Sequence, residues 1–337
     1  MGFDFSIITG KVIHSIIHSD VPGCTRRVEE AYLAHDDGKA VNPDSYFLMF
    51  PDQPKNRIIA LPAFLGGEAN VSGIKWIASY PDNVRQGIPR ASAVLVLNST
   101  ETGYPFTCLE SSIISAARTA ASAALAARWM NQGSQSVRTL GIVGNGLIAR
   151  YVYDFLIALG WKIDEVLVHD LVPAESERFA SKVRQRDIHR RVAPVEDCSE
   201  LIRKSELILF ATVAGKPYVE DFELFSHHPL VLNVSLRDLA PEILLQSYNI
   251  VDDVEHVMKA NTSPHLAERL SGGRSFVTGT LAQLIRGKCQ VGKERPIIFS
   301  PFGLGLLDLA VGKWVYDVAT ARGEAVAVPD FFYEMER

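Results

Sequence analysis

The sequence predicts an α/β protein in which a doubly wound parallel sheet is inserted into an α+β domain. The first supporting observation is the stretch Ser136-Val-Arg-Thr-Leu-Gly-Ile-Val-Gly144-Asn-Gly146-Leu-Ile-Ala149, where a buried-strand pattern with a single charge runs straight into a glycine turn and a helix start. The second is the alternation of short apolar runs with helical stretches from Val137 to Val251, the pattern of parallel βαβ units. The third is Leu306 to Ala319, an apolar segment at helical spacing after Ser300-Pro-Phe-Gly-Leu-Gly305, too far beyond the sheet to be needed by it. The chain is therefore expected to leave an outer domain (1–130 plus 306–337), build an inserted domain (131–305) and return.

In order, the outer part reads as a helix from Val21 to His35 and strands Tyr46 to Phe50, Arg57 to Leu61, Ser72 to Ile77 and Ser92 to Leu97. The turn formers Asn98 to Gly103 between two apolar runs predict a hairpin. The alanine-rich segment Leu109 to Met130 is long enough to span a membrane, but Glu110, Arg118 and Arg128 make it a buried helix of a soluble protein. Asn131 to Ser136, rich in turn formers, marks a boundary. Beyond it come strands Val137 to Val143, Glu165 to His169, His189 to Ala193, Leu207 to Ala211, Leu230 to Val234 and Ile250 to Val251, with a helix over Tyr151 to Leu159.

A length of 337 residues suits two cores, and 47% hydrophobic with 22% charged residues is ordinary for a soluble globular chain. A net charge of −5 without a basic cluster offers no nucleic-acid footprint. Cys24, Cys108, Cys198 and Cys289 are scattered, with no paired spacing for zinc, and predict reduced thiols of a cytoplasmic protein without a metal. No basic region precedes an apolar one at the N-terminus, so no signal peptide is expected. Met1 to Ser6 fits the bare myristoylation pattern, whose three free positions let it arise by chance.

The glycine turn carries the first chemistry. Gly144 permits the sharp turn, Gly146 lets backbone approach a pyrophosphate, and Ala149 stands where helix packs on strand. The helix start presents free N–H groups to phosphates. Asp170 ends the next strand at the spacing of a ribose-binding acid, and Leu171-Val172-Pro173 brings no arginine for a 2′-phosphate, so NAD is favoured over NADP. The alternative is a βαβ unit that binds no nucleotide.

Four cations carry the second. Lys75 lies inside the apolar strand Val71 to Ile77, and Arg118 lies among Ala116, Ala117, Ala120 and Ala121, which leave room for a ligand. A buried cation is either paired internally or reserved for an anion, while a strand lysine can also face solvent. Arg57 and Arg90 are further candidates, or strand-end caps. His227-His228, followed by Pro229, reads as a loop pair, and Asp252-Asp253 as a helix-capping pair.

Together these blocks resemble the ornithine cyclodeaminase and mu-crystallin family: Arg57 to Pro62, Ser72 to Lys75, Leu97 to Pro105, Ser115-Ala-Ala-Arg118-Thr-Ala-Ala121, Gly144-Asn-Gly146 and Gly303 to Asp308. Asn56-Arg-Ile-Ile-Ala-Leu-Pro62, Gly66-Gly-Glu68, Ser72 to Ile77 and Arg90-Ala-Ser92 are similar to its siderophore branch, the N-(2-amino-2-carboxyethyl)-L-glutamate dehydrogenases of 2,3-diaminopropionate biosynthesis. The resemblance implies a Rossmann domain for NAD inserted in a substrate-binding and dimerisation domain, a homodimer, and hydride transfer at the α-carbon of an amino acid with several carboxylates. Lys75 and Arg118 would then face the substrate carboxylate and imine, with Arg57 and Arg90 as further carboxylate ligands. Ser92, Arg118, Thr119, Leu147, Ile148, Thr212 and Ser235 would line NAD. Asp308 matches a family aspartate, and is also an acid suited to a helix start. The family's cyclodeaminases carry a catalytic aspartate after the strand ending at Asn233. Alignment on Glu242 puts Leu236 there and Asp238 fits with a gap, which argues against ornithine cyclisation and leaves Asp238 as a candidate base. The competing readings are another amino acid or opine dehydrogenase or imine reductase, and a mu-crystallin-like binder without turnover.

Overall fold

Residues 4–333 are described in the structure, a computed structural model, and Met1 to Phe3 of the myristoylation pattern lie outside them. Two units divide the chain: Met1–Arg118 with Leu304–Arg337, and Thr119–Gly303. The first division falls inside one continuous helix, before the turn formers at 131–136, because those residues end the helix rather than the unit.

The first unit opens with β1 (Phe5–Ile8), α1 (Gly10–Ser19) and α2 (Val21–Asp36). The sequence reading missed α1, a short helix whose Ile13, Ile16 and Ile17 are buried at helical spacing. Asp20 separates the two helices, and its carboxylate caps α2 by accepting from the Gly23 N–H. There follow β2 (Ala40–Val41), β3 (Tyr46–Phe50), β4 (Gln53–Leu65), β5 (Val71–Ser79), β6 (Ala91–Ser99), β7 (Pro105–Glu110) and α3 (Ser112–Met130). Leu109 and Glu110 belong to the strand rather than the helix: Leu109 pairs with Leu95, and the Glu110 carboxylate accepts from the Ser112 and Ile113 amides to start α3. β4 to β7 form an antiparallel meander that includes the expected hairpin, while β1 joins β7 in parallel.

The second unit alternates as expected: β8 (Ser136–Val143), α4 (Leu147–Ala158), β9 (Lys162–His169), α5 (Pro173–Arg184), β10 (Arg191–Pro194), α6 (Cys198–Lys204), β11 (Leu207–Phe210), β12 (Leu230–Asn233), α7 (Pro241–Leu245), β13 (Tyr248–Val251), α8 (Val254–Val257), α9 (Ser263–Ser271), β14 (Val277–Thr280), α10 (Leu281–Ile285) and β15 (Ile297–Ser300). All eight strands run parallel in the order β10-β9-β8-β11-β12-β15-β13-β14. The order reverses between β8 and β11, the switch point where such sheets open a crevice at their carboxyl ends. β11 and β12 are buried throughout, which is why their sequences are apolar runs broken only by Asn233 at the end of β12. Of the acidic pair, only Asp253 caps a helix, accepting from the His256 N–H; Asp252 is buried and takes the Phe302 and Gly303 amides.

The chain then returns to the first unit as α11 (Gly305–Ala321) and β16 (Val326–Val328), which pairs with β1. α11 lies directly on the sheet because glycines remove what would hold it off. A Cβ at Gly312 would stand 2.3 Å from Leu95 Cδ2, and one at Gly73 would stand 3.0 Å from Leu309 Cδ2. No helix among the described residues is long and apolar enough to cross a membrane.

Candidate functional site

In the first unit, Asp308 occupies the first turn of α11, between Gly305 and Gly312 on the face laid against the sheet. From there its carboxylate, fully buried, receives the Lys75 ammonium at 2.6 Å and the Arg118 Nε at 3.4 Å. Lys75 Nζ also reaches Ser115 Oγ at 3.3 Å. Lys75 is thus no solvated strand residue. The Arg118 side chain is largely buried and leans on the same internal acid. Burial pulls the Lys75 ammonium down to about 8, with Asp308 opposing the fall and Arg118 adding to it. Two cations share one carboxylate, so the cluster holds an excess positive charge while Lys75 is protonated, and a bound anion would balance it.

Arg57 faces Ser79 across the β4–β5 ladder, and Arg90 Nη1 donates to Ser79 Oγ at 2.9 Å. Neither is bonded to the Lys75 cluster; Arg57 lies within β4, while Arg90, just before β6, ties down the end of β5 at Ser79. Ser92 pairs with Ala78, so strand alternation puts it on the sheet face opposite Lys75.

In the second unit, the turn after β8 has the geometry a dinucleotide requires. Gly144 has φ +85°, and a Cβ there would lie 2.6 Å from the Ala211 carbonyl oxygen, so only glycine fits. Gly146 is exposed, with nothing near the space a Cβ would fill, and α4 begins beside it with no side-chain cap on its amides. Leu147 is exposed and Ile148 half-buried at this end. The amide oxygen and nitrogen of the Asn145 side chain are buried without partners in the same turn. Asp170 hooks onto the turn: one carboxylate oxygen accepts from the Asn145 N–H at 2.8 Å, the other from the Val172 N–H at 3.0 Å. A pyrophosphate and a ribose diol fit these free amides and this carboxylate.

Thr212 and Ser235 follow β11 and β12 at the same strand ends. Both hydroxyls donate to Asp238, Thr212 at 2.5 Å, and Tyr218 adds a third bond at 3.0 Å. Asp238 is fully buried. Its carboxylate is enclosed and engaged by these three hydroxyls, and so fixes the Thr212 and Ser235 side chains. Burial and the adjacent Asp238 raise the Tyr218 phenol, which stays a donor. Leu236, at the position aligned with the family aspartate, adopts φ +77°, a strained conformation for leucine.

Sequence reasoning undervalued Asp308 and passed over Tyr218 and Ser115. The signal for Asp308 was its place four residues before Gly312 and three after Gly305, a small–acid–small face on an apolar helix.

The family model described as ornithine cyclodeaminase/mu-crystallin family matches residues 11–323. The chain is 29% identical over 317 residues to N-((2S)-2-amino-2-carboxyethyl)-L-glutamate dehydrogenase of Staphylococcus aureus (strain NCTC 8325 / PS 47), covering 91% of each chain. It is 29% identical over 322 residues to alanine dehydrogenase of Archaeoglobus fulgidus, covering 94% of this chain and 95% of the other. An archaeal alanine dehydrogenase dimer with bound NAD matches with a TM-score of 0.86 at 26% identity, covering 97% of this chain and 100% of that one.

Proposed function

This chain belongs to the ornithine cyclodeaminase/mu-crystallin family, and from that premise we propose that it is an NAD-dependent dehydrogenase acting on the carbon–nitrogen bond of an amino acid. The substrate proposed is N-(2-amino-2-carboxyethyl)-L-glutamate. Its secondary amine is oxidised at the glutamyl carbon to an imine, which water splits into 2,3-diaminopropionate and 2-oxoglutarate, for siderophore or related secondary-metabolite biosynthesis. The relative of that name supports this choice of substrate.

The observation that carries the reading is the Lys75–Asp308–Arg118 cluster, a buried site with one more cation than anion. It binds the carboxylate next to the reacting carbon, since charge-assisted contacts from a desolvated lysine and arginine orient that group strongly. Lys75, held near 8, exchanges the proton at the nitrogen and the attacking water. Gly144, Gly146, Leu147 and Ile148 hold the pyrophosphate of NAD, Asp170 the ribose, and Thr212 and Ser235, fixed by Asp238, the remaining part. Arg118 and Thr119 are assigned to the cofactor by family resemblance, and Ser92, on the opposite sheet face, is left out of it. NAD, when bound, supplies the acceptor for the hydride that leaves the α-carbon.

A homodimer is proposed through the sheet face opposite Lys75, where Tyr46, Leu48, Trp76 and Val94 are exposed together. The four cysteines, all free, support the cytoplasm as the compartment. The test is NADH formation with a panel of N-substituted glutamates and simple amino acids. The expected result is turnover of the substituted glutamate, and loss of most of kcat in Lys75→Arg while NADH still binds. Turnover of alanine alone would point to the simpler dehydrogenase, and NADH binding without any turnover to a binding protein.

A further inference from the structure

The net charge of −5 conceals a local concentration of cations, since Lys182, Arg184, Arg186, Arg190 and Arg191 all fall between the last turn of α5 and the start of β10. β10 is an edge strand of the second unit's sheet, and a cavity of about 250 Å³ opens between it and the end of α5. Its walls combine three kinds of group. Arg184, Arg190 and Arg191 supply positive charge, Asp187 a carboxylate, and Val192 and the exposed Ile188 apolar surface.

Bonds on both sides hold the cavity open. His189 pins the segment that joins helix to strand: its Nδ1 donates to the Ile163 carbonyl at 2.7 Å and its Nε2 meets the Tyr153 hydroxyl at 2.7 Å. The Arg186 guanidinium lies 5.5 Å from the centre of the Tyr153 ring and pairs with Asp154, while the Arg190 N–H donates to the Asp164 carbonyl at 2.8 Å. Opposite them, Arg184 Nε donates to the Val192 carbonyl at 3.2 Å and ties the helix end to the strand edge. A pocket formed in advance loses little freedom when a ligand enters.

Its arginines are incompletely matched. Glu165, across the β9–β10 ladder from Arg191, serves both Arg190 and Arg191, the latter at 3.8 Å and so beyond hydrogen-bond distance. Glu177 holds Arg184 at 2.6 Å. Three guanidiniums thus meet two carboxylates, and at 70% and 59% exposure Arg190 and Arg191 keep most of their donors turned to water. The Asp187 carboxylate makes no bond among the described residues, and its backbone turns through φ +51° beside them. A ligand that fits must therefore bring an anion for the arginines and a donor for Asp187.

We propose that this cavity is a second ligand site for a small organic phosphate that carries hydroxyl groups, the chemistry shared by sugar phosphates and nucleoside monophosphates. A phosphate ester presents three acceptor oxygens, which Arg190 and Arg191 fork onto more fully than onto one shared carboxylate. Its hydroxyls donate to Asp187, and its carbon frame lies on Ile188 and Val192. Inorganic phosphate has no such frame and meets Asp187 as a like charge. The cavity is separate from the dinucleotide turn: Ile163, where His189 is anchored, precedes Asp170 by seven residues on one strand, about 23 Å at the rise of a parallel strand. Binding there requires nothing of the dehydrogenase reaction.

The experiment is calorimetry of AMP, ribose 5-phosphate, ribose and inorganic phosphate on the full chain saturated with NADH, with NADH fluorescence followed in parallel. Both esters should bind once per chain, leave the NADH signal in place and exceed inorganic phosphate in affinity, while ribose gives no heat. Tighter binding of AMP than of ribose 5-phosphate would assign a nucleotide, and equal binding a sugar phosphate. The double variant Arg190→Gln/Arg191→Gln should weaken both esters at least tenfold with the melting temperature and NADH affinity of wild type. Asp187→Asn should weaken the esters a few-fold and leave inorganic phosphate unweakened. Arg191→Gln alone, expected to cost a few-fold, carries the test if the double variant fails to fold. The proposal is overturned if neither ester binds, if either binds only by displacing NADH, if inorganic phosphate binds as tightly as both, or if the arginine variants bind like wild type.

Discussion

The Lys75 cluster and the glycine turn after β8 show two opposite ways of preparing a site for an anion. The first gathers side-chain charge from residues 75, 118 and 308 into a buried cluster, where each charge is tolerable only because the others are present. The second uses backbone amides and a missing Cβ within a few consecutive residues, at little cost in buried charge. The cluster should therefore be fragile to the loss of one group and sensitive to pH, and the turn should respond to shape.

Asp308→Asn is expected to give the largest effect. It leaves Lys75 and Arg118 buried without a carboxylate, which should cost roughly 3–5 kcal/mol of stability, read as a lower urea midpoint. A midpoint equal to wild type would mean that the cations are satisfied elsewhere and would break the contrast with the turn.

The next effect lies in pH. In the folded state Lys75 titrates near 8, against 10.5 as its ordinary value. Folding thus carries a penalty for the buried charge that is complete below pH 8 and relieved as pH rises from 8 to 10.5, because in that window the unfolded chain keeps the proton and the folded one does not. This group's contribution to unfolding free energy should rise across the window by an amount on the order of 3 kcal/mol. Lys75→Met should abolish that rise. The same rise in Lys75→Met would assign it to another group.

At the turn, Gly144→Ala must leave its left-handed conformation or clash with the Ala211 carbonyl, for about 1–3 kcal/mol. Gly146→Ala has room and ordinary backbone angles, so it should melt like wild type and yet bind NADH less tightly. Fluorescence titration beside thermal melting separates the two; equal NADH affinity in Gly146→Ala would remove the turn as the pyrophosphate site.

The smallest effect is expected at Asp170. Replacement by Asn should narrow the preference for NAD over NADP by about tenfold, roughly 1.4 kcal/mol, by removing the charge that repels a 2′-phosphate. An unchanged preference in steady-state kinetics would assign specificity to another residue.

What the sequence determined by itself was whatever is contiguous. The strand, the glycine turn, α4 and Asp170 lie within one stretch, and their roles follow from backbone geometry and period, so their placement was legible before any fold. The inserted sheet and the returning helix were legible for the same reason, since alternation and helical spacing are local patterns. Only the tertiary structure decided which residues meet. Lys75 and Arg118 stood out as misplaced cations, yet nothing local shows that α11, let down by Gly73 and Gly312, brings Asp308 to both. Asp238 could be aligned as a candidate base, but no local pattern shows that packing encloses it with Thr212, Tyr218 and Ser235. Charge balance and hydrogen-bond satisfaction are sums over neighbours in space, and neighbours distant in sequence are set by the packing of whole elements rather than by any segment's own pattern.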